Sequence, residues 1–344
     1  MKRLLAFSLA FFSAVLFIYI LYAAQSFFIP LLIALVIAYF IIALAEGIGK
    51  FKIAGRRLPT SLTFLVAIFV LLVGVYLVFS MVSSNVNRLL ETAPIYQEKL
   101  RGLIHSVFDA LGKPLPDLSQ KFEEFDFASL LTQIVFVLTD IAGSTGMITI
   151  YVIFLLIEYH YFDQKLMAIF KSQSGKESAR KILIKIAKQI KSYLRIKTLL
   201  STMTGLSSYF VLLAVGVDFP DFWALLIFLL NFIPTIGSIV ATIFPCLLTL
   251  LQFGAFLPFA IVSICLIAIQ FVIGNIIEPR IMGKQFNLSG LVIILSLTIW
   301  GQIWGVIGML LCVPLMVILS IILSNFPQTQ SVAILLSRTG TLEE

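Results

Sequence analysis

Charge is scarce in this chain of 344 residues: Asp, Glu, Lys and Arg make up 12% of it, against about 25% in soluble domains. Histidine is scarcer still, with 2 residues, so the His-Glu-x-x-His spacing of a zinc hydrolase is absent. The 3 cysteines (Cys246, Cys265, Cys312) lie far apart inside apolar runs. They have neither metal-ligand spacing nor the pattern of a disulfide framework, and read as packing residues. No Gly-x-x-x-x-Gly-Lys-Ser/Thr loop is present, so nucleotide-driven chemistry would need another subunit. A Gly-x-Ser-x-Gly nucleophile elbow is missing too. The net charge of +7 and the 31 phenylalanines come without the interleaving of basic and aromatic residues that nucleic-acid binding requires. These absences predict no enzyme, no cofactor, no metal and no nucleic-acid partner.

What the chain has is long hydrophobic runs; 60% of its residues are hydrophobic. Runs cover residues 4–24, 27–45, 61–84, 146–157 with their flanks, and most of 199–323. About 20 apolar residues cross the hydrocarbon core of a bilayer as a helix. A backbone in lipid must satisfy its own hydrogen bonds, so such runs become helices. The expected fold is an all-α polytopic membrane protein with about eight hydrophobic segments in the bilayer. Met1-Lys2-Arg3, an apolar run and Ala23-Ala24-Gln25 resemble a signal peptide. The run exceeds the usual core of about 7–15 residues, so it reads as the first membrane helix.

Basic residues set the orientation. Lys2 and Arg3 precede the first run, Lys50, Lys52, Arg56 and Arg57 follow the second, and residues 163–197 are rich in Lys and Arg. The positive-inside rule places these segments, with both termini, in the cytoplasm, and residues 85–140 on the opposite side. Two segments outside the bilayer read as amphipathic. Ile95, Leu100, Leu103, Ile104, Val107 and Leu111 recur at helical spacing, before Gly112, Pro114 and Pro116 break the pattern. Ile182, Leu183, Ile186, Ile190, Tyr193 and Leu194 form a stripe flanked by Lys181, Lys185, Lys188 and Arg195, as in a helix lying in the headgroup plane. The outer stripe has no partner in its own segment, which suggests a homo-oligomer.

The informative places are the interruptions. Residues 222–252 are broken by Asn231-Phe232-Ile233-Pro234-Thr235-Ile236-Gly237-Ser238, and 288–323 by Trp300-Gly301-Gln302-Ile303-Trp304-Gly305. Proline removes a helical hydrogen bond and clashes with the preceding turn. A pair of interrupted hydrophobic segments points to a transporter's binding site. Each is either one kinked span or a re-entrant hairpin; the hairpins leave Arg280 and Lys284 on the basic side, which the charge rule favours.

Several motifs resemble the bacterial autoinducer-2 exporter family of polytopic inner-membrane, permease-type transporters. They are Phe232-Ile233-Pro234-Thr235-Ile236-Gly237, Glu278-Pro279-Arg280-Ile281-Met282-Gly283, Leu295-Ser296-Leu297-Thr298-Ile299-Trp300-Gly301, Gly305-Val306-Ile307-Gly308-Met309-Leu310 and Val313-Pro314-Leu315. Arg195-Ile196-Lys197 stands where relatives often carry an Arg-Gly-Gln-like stretch. The resemblance implies a secondary transporter of a small polar solute or signalling molecule, coupled in some relatives to sodium or protons. A channel-like oligomeric pore and a non-transporting scaffold are the alternatives.

On this reading the chain divides into three membrane helices (1–84), an outer amphipathic loop (85–140), a fourth helix (141–162), a basic cytoplasmic helix (163–197), a transport core (198–323) and a tail (324–344). Ionisable residues in or beside a span are functional candidates by default. Glu278 leads, as a carboxylate for a proton or sodium ion with Arg280 close by for a local pair. Asn231, Thr235 and Ser238 offer polar groups, and Pro234 and Gly237 free backbone groups. Gln270 and Asn275 are further candidates, five apart and so not bound to share a face. Pro279, Gly283, Gly301, Gly305 and Pro314 are candidate hinges. Asp218 and Asp221 read as a solvated turn.

Overall fold

The computed structural model describes residues 2–50, 52–53, 56–110, 144–169, 172–282 and 287–341. Apart from one two-stranded hairpin, its regular structure is helical, as the apolar runs predict. Six helices among the described residues are long and apolar enough to cross a membrane, and two shorter apolar helices accompany them.

Helices α1 (Lys2–Ala23) and α2 (Gln25–Ile48) open the chain. Strands β1 (Lys52–Ile53) and β2 (Arg56–Arg57) pair antiparallel. Helix α3 (Thr60–Ala110), 51 residues long, extends about 77 Å at 1.5 Å per residue. Helix α4 (Thr145–Ile169) precedes α5 (Gln173–Val215). Then come α6 (Pro220–Leu230), α7 (Ile236–Phe253), α8 (Phe256–Phe271), a π turn (Val272–Ile277) and α9 (Glu278–Met282). Helices α10 (Gly290–Ser324) and α11 (Gln330–Leu336) complete the fold.

Two expectations about segment boundaries change. The third run and the outer amphipathic stretch form one helix, α3. The basic stretch and the following span likewise form one helix, α5, which therefore does not lie flat along its whole length in the headgroup plane. Helices propagate once nucleated: Pro94, at the first junction, lies inside α3 without ending it, and no proline stands at the second.

The chain forms two compact units. One contains Met1–Leu72, Ala142–Tyr193 and Lys284–Glu344; the other contains Val73–Ile141 and Leu194–Gly283. In the first, Ala34, Ile41 and Ala45 of α2 meet Ala67 of α3 and Ile148 and Val152 of α4. Small residues let membrane helices approach closely where water supplies no driving force. Helix α10 breaks at Trp304 and Gly305, the latter with φ of 60° and ψ of −142°, a backbone open chiefly to glycine. A Cβ on Gly308 would collide with the Trp300 carbonyl; in a straight helix those residues lie about 12 Å apart. The run therefore folds back as a hairpin. Its break is fastened by Trp304, whose indole Nε1 donates to the Leu21 carbonyl at 3.0 Å.

In the second unit α6 and α7 pack against each other as another hairpin. A Cβ on Gly237 would collide with the Leu230 carbonyl. The outer half of α3 covers this unit: Val86, Leu89 and Tyr96 join Trp223, Phe222, Leu248 and Leu251, with Leu100 and Leu103 packed alongside. Leu100 and Leu103 of the apolar face that suggests a second subunit thus pack within the chain, while the side chains of Ile104 and Val107, and Leu111, lie outside the described residues. Ile95, expected on that face, is exposed. Asp218 is exposed in its turn, as expected, and Asp221 is half-buried, but both carboxylates also accept hydrogen bonds from α3. Tyr96 donates to Asp218 at 2.6 Å and Asn85 to Asp221 at 2.9 Å, while Lys99 donates to the Gln252 carbonyl at 3.0 Å. Burial first, then the Asp218 carboxylate, push the Tyr96 phenol well up from its usual range, so it remains the donor near neutral pH.

The glycines give a direct test. Gly237→Ala should lower stability by about 3 kcal/mol through overpacking, read as a lower Tm in detergent. Gly74 lies in α3 with nothing within 4 Å of an added Cβ, so Gly74→Ala should raise stability by about 0.5–1 kcal/mol. Equal Tm values for the two variants would show that the first break is not a tight hairpin.

Candidate functional site

Helix α5 carries polar residues at Lys197, Ser201, Thr204 and Ser208, a helical repeat of four, three and four residues on one face. All four are buried, Lys197 at 4% exposure. Beside Lys197, Ile196 and Leu200 pack on Ile273 of the π turn, with Ile269, Ile277 and Met282 around them. This apolar wrapping fixes where the ammonium ends. Lys197 Nζ donates to Glu278 Oε1 at 2.7 Å, the two side chains being 6% and 23% exposed.

Glu278 owes its place to the irregular turn before it. In a regular helix the Pro279 ring would meet the carbonyl four residues back, that of Asn275, and leave it without a donor. Winding Val272–Ile277 as a π turn shifts the register: the Glu278 N–H bonds to the Ile273 carbonyl, five residues back. Such single-turn insertions often mark functional sites. Pro279 therefore does not stop the helix, which continues as α9. Arg280, expected as the local partner of Glu278, is exposed instead. The observed partner is 81 residues away.

The first hairpin break lies beside the same face of α5. Asn231, buried at the C-terminus of α6, donates through Nδ2 to Ser201 Oγ at 3.1 Å. Gly205, one turn on, packs so closely that a Cβ there would lie 2.9 Å from the Ala224 carbonyl. The chain then reverses at Thr235, with φ of 60° and ψ of −60°, while the Ile236 N–H reaches the Pro234 carbonyl at 2.6 Å. This is a γ-turn of the rare, strained hand, adopted by a β-branched residue. Ser238 Oγ donates back to the Thr235 carbonyl at 2.8 Å, and Gly237 permits the close return.

The structure brings together Asn231, Pro234, Thr235, Gly237 and Ser238 at the break, and Glu278 with Pro279 at the π turn. Asn275 is exposed within that turn, and Gln270 is half-buried on α8. Among the candidate hinges Gly305 is the backbone break of α10. Gly301 packs close to Met309, and Pro314 is buried within a helical stretch without breaking it. Gly283 lies outside the described residues. Among the described residues no three His, Cys, Asp or Glu side chains gather to hold a metal.

Sequence reasoning missed Lys197 and Ser201. Their signal was present as the polar repeat inside an apolar span, but Lys197 reads as the last lysine of the basic stretch.

A buried pair is costly to break, because the remaining charge loses its only compensation. Lys197→Met alone should cost about 3–5 kcal/mol. Combining it with Glu278→Gln should recover most of that loss, as read by thermal unfolding in detergent. Additive losses in the double variant would show that the two groups do not interact.

Comparison with known proteins agrees with this architecture. The model of the AI-2E family transporter matches residues 11–328. The AI-2 transport protein TqsA of Escherichia coli is 30% identical over 322 residues, covering 91% of this chain and 90% of that protein. A putative transport protein of Borreliella burgdorferi is 33% identical over 326 residues, covering 93% and 87%. The putative transport protein YhhT of Escherichia coli is 29% identical over 324 residues, covering 92% and 89%. With its membrane helices and broken segments in place, the chain belongs to the AI-2E family of membrane transporters.

Proposed function

We propose that this transporter is a secondary carrier of a small polar solute, driven by a proton or sodium gradient through Glu278. The observation that carries the reading is the buried Lys197–Glu278 pair at the π turn. An ammonium wrapped in apolar side chains must be neutralised, and the part-buried Glu278 carboxylate does so here. A proton or sodium ion taking Glu278 leaves the lysine uncompensated. That excess charge costs several kcal/mol at a buried site. Ion binding is therefore tied to a rearrangement that re-solvates Lys197 or gives it a new partner, such as a polar solute group. An energetic link between ion and protein conformation is what coupled transport requires.

The relative from Escherichia coli named for AI-2 transport supports a small signalling molecule as the solute. The setting that fits is a bacterial inner membrane with both termini cytoplasmic. The Lys- and Arg-rich segments, which fall on one side when the runs between them cross in pairs, support that orientation. A cysteine replacing Arg338 should then react with an impermeant thiol reagent only after cells are permeabilised; labelling of intact cells would reverse the orientation.

The decisive experiment is flux in proteoliposomes. Proton or sodium gradients should drive uptake of labelled autoinducer-2, and Glu278→Gln should abolish gradient-driven accumulation while sparing solute counterflow. Unchanged accumulation in that variant would remove Glu278 from coupling. Flux that does not saturate would indicate a pore.

A further inference from the structure

We infer that Ser201 is a positioning residue through which the state of the Lys197–Glu278 pair reaches the break of the first hairpin. This inference rests on the reading of Glu278 as the coupling carboxylate. Lys197 and Ser201 are one turn apart on the same face of α5. The first binds Glu278 at 2.7 Å and the second accepts from Asn231 at 3.1 Å. Asn231 is the last residue before the backbone leaves the helix, and four positions later Thr235 holds the strained γ-turn.

Each component has a physical role. The pair is an element whose two charge states differ in energy, because Lys197 is 4% exposed and cannot stay unpaired without moving. A shift of α5 that re-solvates Lys197 also carries Ser201, because both stand on the stretch that Ile196 and Leu200 pack against Ile273. Strain at Thr235 supplies the response: a non-glycine residue at positive φ persists only while its surroundings hold it, and the bond from Asn231 to Ser201 is part of that hold. Lys197 on α5 and exposed Arg280 on the carboxylate's own helix are the charged groups nearest Glu278 in this arrangement; among the described residues Lys197 alone reaches ion-pair distance.

The test reads the break itself and needs no solute. Cys246, Cys265 and Cys312 are replaced, Ile236 at the start of α7 is changed to cysteine, and its maleimide labelling is followed in proteoliposomes in acidic and alkaline buffer. Divided by the labelling of Arg338→Cys in the same buffer, which removes the change of thiolate fraction with pH, labelling in the parent should differ about fivefold between the two, the lower end of ordinary coupling. Ser201→Ala should remove that difference in protein that remains monodisperse and active in counterflow, and Ser201→Thr, which keeps the hydroxyl, should restore it. Asn231→Leu, which breaks the same bond from the other side, should act like Ser201→Ala.

A pH response that survives Ser201→Ala but disappears in Glu278→Gln overturns the role of Ser201 and leaves the Glu278 reading intact. A response surviving Glu278→Gln overturns that reading. A parent whose labelling ignores pH overturns the role of Ser201, with Glu278 then judged by flux alone. Loss of counterflow in Ser201→Ala would reduce Ser201 to a packing residue.

Discussion

The structure depends on one constraint: a backbone N–H or C=O facing hydrocarbon has no water to turn to. Straight helices meet it without help. Every departure from a straight helix must be paired by some other means. In the first hairpin the N–H groups of Phe232, Ile233, Ile236 and Gly237 reach the carbonyls of Leu229, Leu230, Pro234 and Ile233. In the second, the Trp304 indole fastens the break to a carbonyl near the end of α1, where helices leave acceptors free. Before Pro279, a change to π register re-pairs the amide of Glu278. Among the described residues the first hairpin and the π turn are closed by such bonds, and polar side chains gather at those closures.

That clustering explains why the ion pair and the hairpin break share one face of α5. A charged residue inside a span is tolerated only with a partner, and an opening in the helical ladder is tolerated only with protein packed over it. Helix α5 answers both needs with a single repeat of small or polar residues. Lys197 compensates a carboxylate, Ser201 accepts from the Asn231 side chain at the end of a broken arm, Thr204 returns its hydroxyl to the Leu200 carbonyl at 2.9 Å, and Gly205 admits the backbone of α6. A leucine at any of these positions would serve the bilayer well and the neighbouring helices badly.

Much of this was legible in the sequence. Apolar length fixed the class of fold, because bilayer thickness leaves little choice. Proline and glycine located both breaks, since each acts on the backbone locally. Glu278 stood out because charge is rare in a span. The partners were not legible. Lys197 lies 81 residues from Glu278, and nothing in local sequence separates it from the exposed lysines preceding it; Lys191, on the same helix, is exposed and meets Glu46 at 3.7 Å. Arg280 looked closer only because sequence distance was the available measure. The partners of Asp218 and Asp221, Tyr96 and Asn85, were not legible because they come from far earlier in the chain. The continuity of α3 and α5 was hidden by composition, which changes from apolar to charged at the membrane boundary while the backbone geometry does not.

Packing also decides which part of the first hairpin is able to move. Helix α6 is held to α5 at two points one turn apart on α5: the bond from Asn231 to Ser201, and the close approach of Gly205 to the Ala224 carbonyl. Sliding α6 past α5 would drive that carbonyl into a neighbouring, larger side chain, because only glycine admits it. The first arm and α5 therefore behave as one body. Helix α7 meets α6 at its start, where Gly237 lies against the Leu230 carbonyl; Ile236 and Ile239 beside it are exposed, and the turn behind them is the strained one at Thr235. Rotating the second arm about that turn parts the Gly237 contact but relieves strain, whereas moving the first arm breaks a buried hydrogen bond and the seam at Gly205 with no strain released. Strain and packing thus select the same hinge, and they place it beside the residue bonded to Ser201.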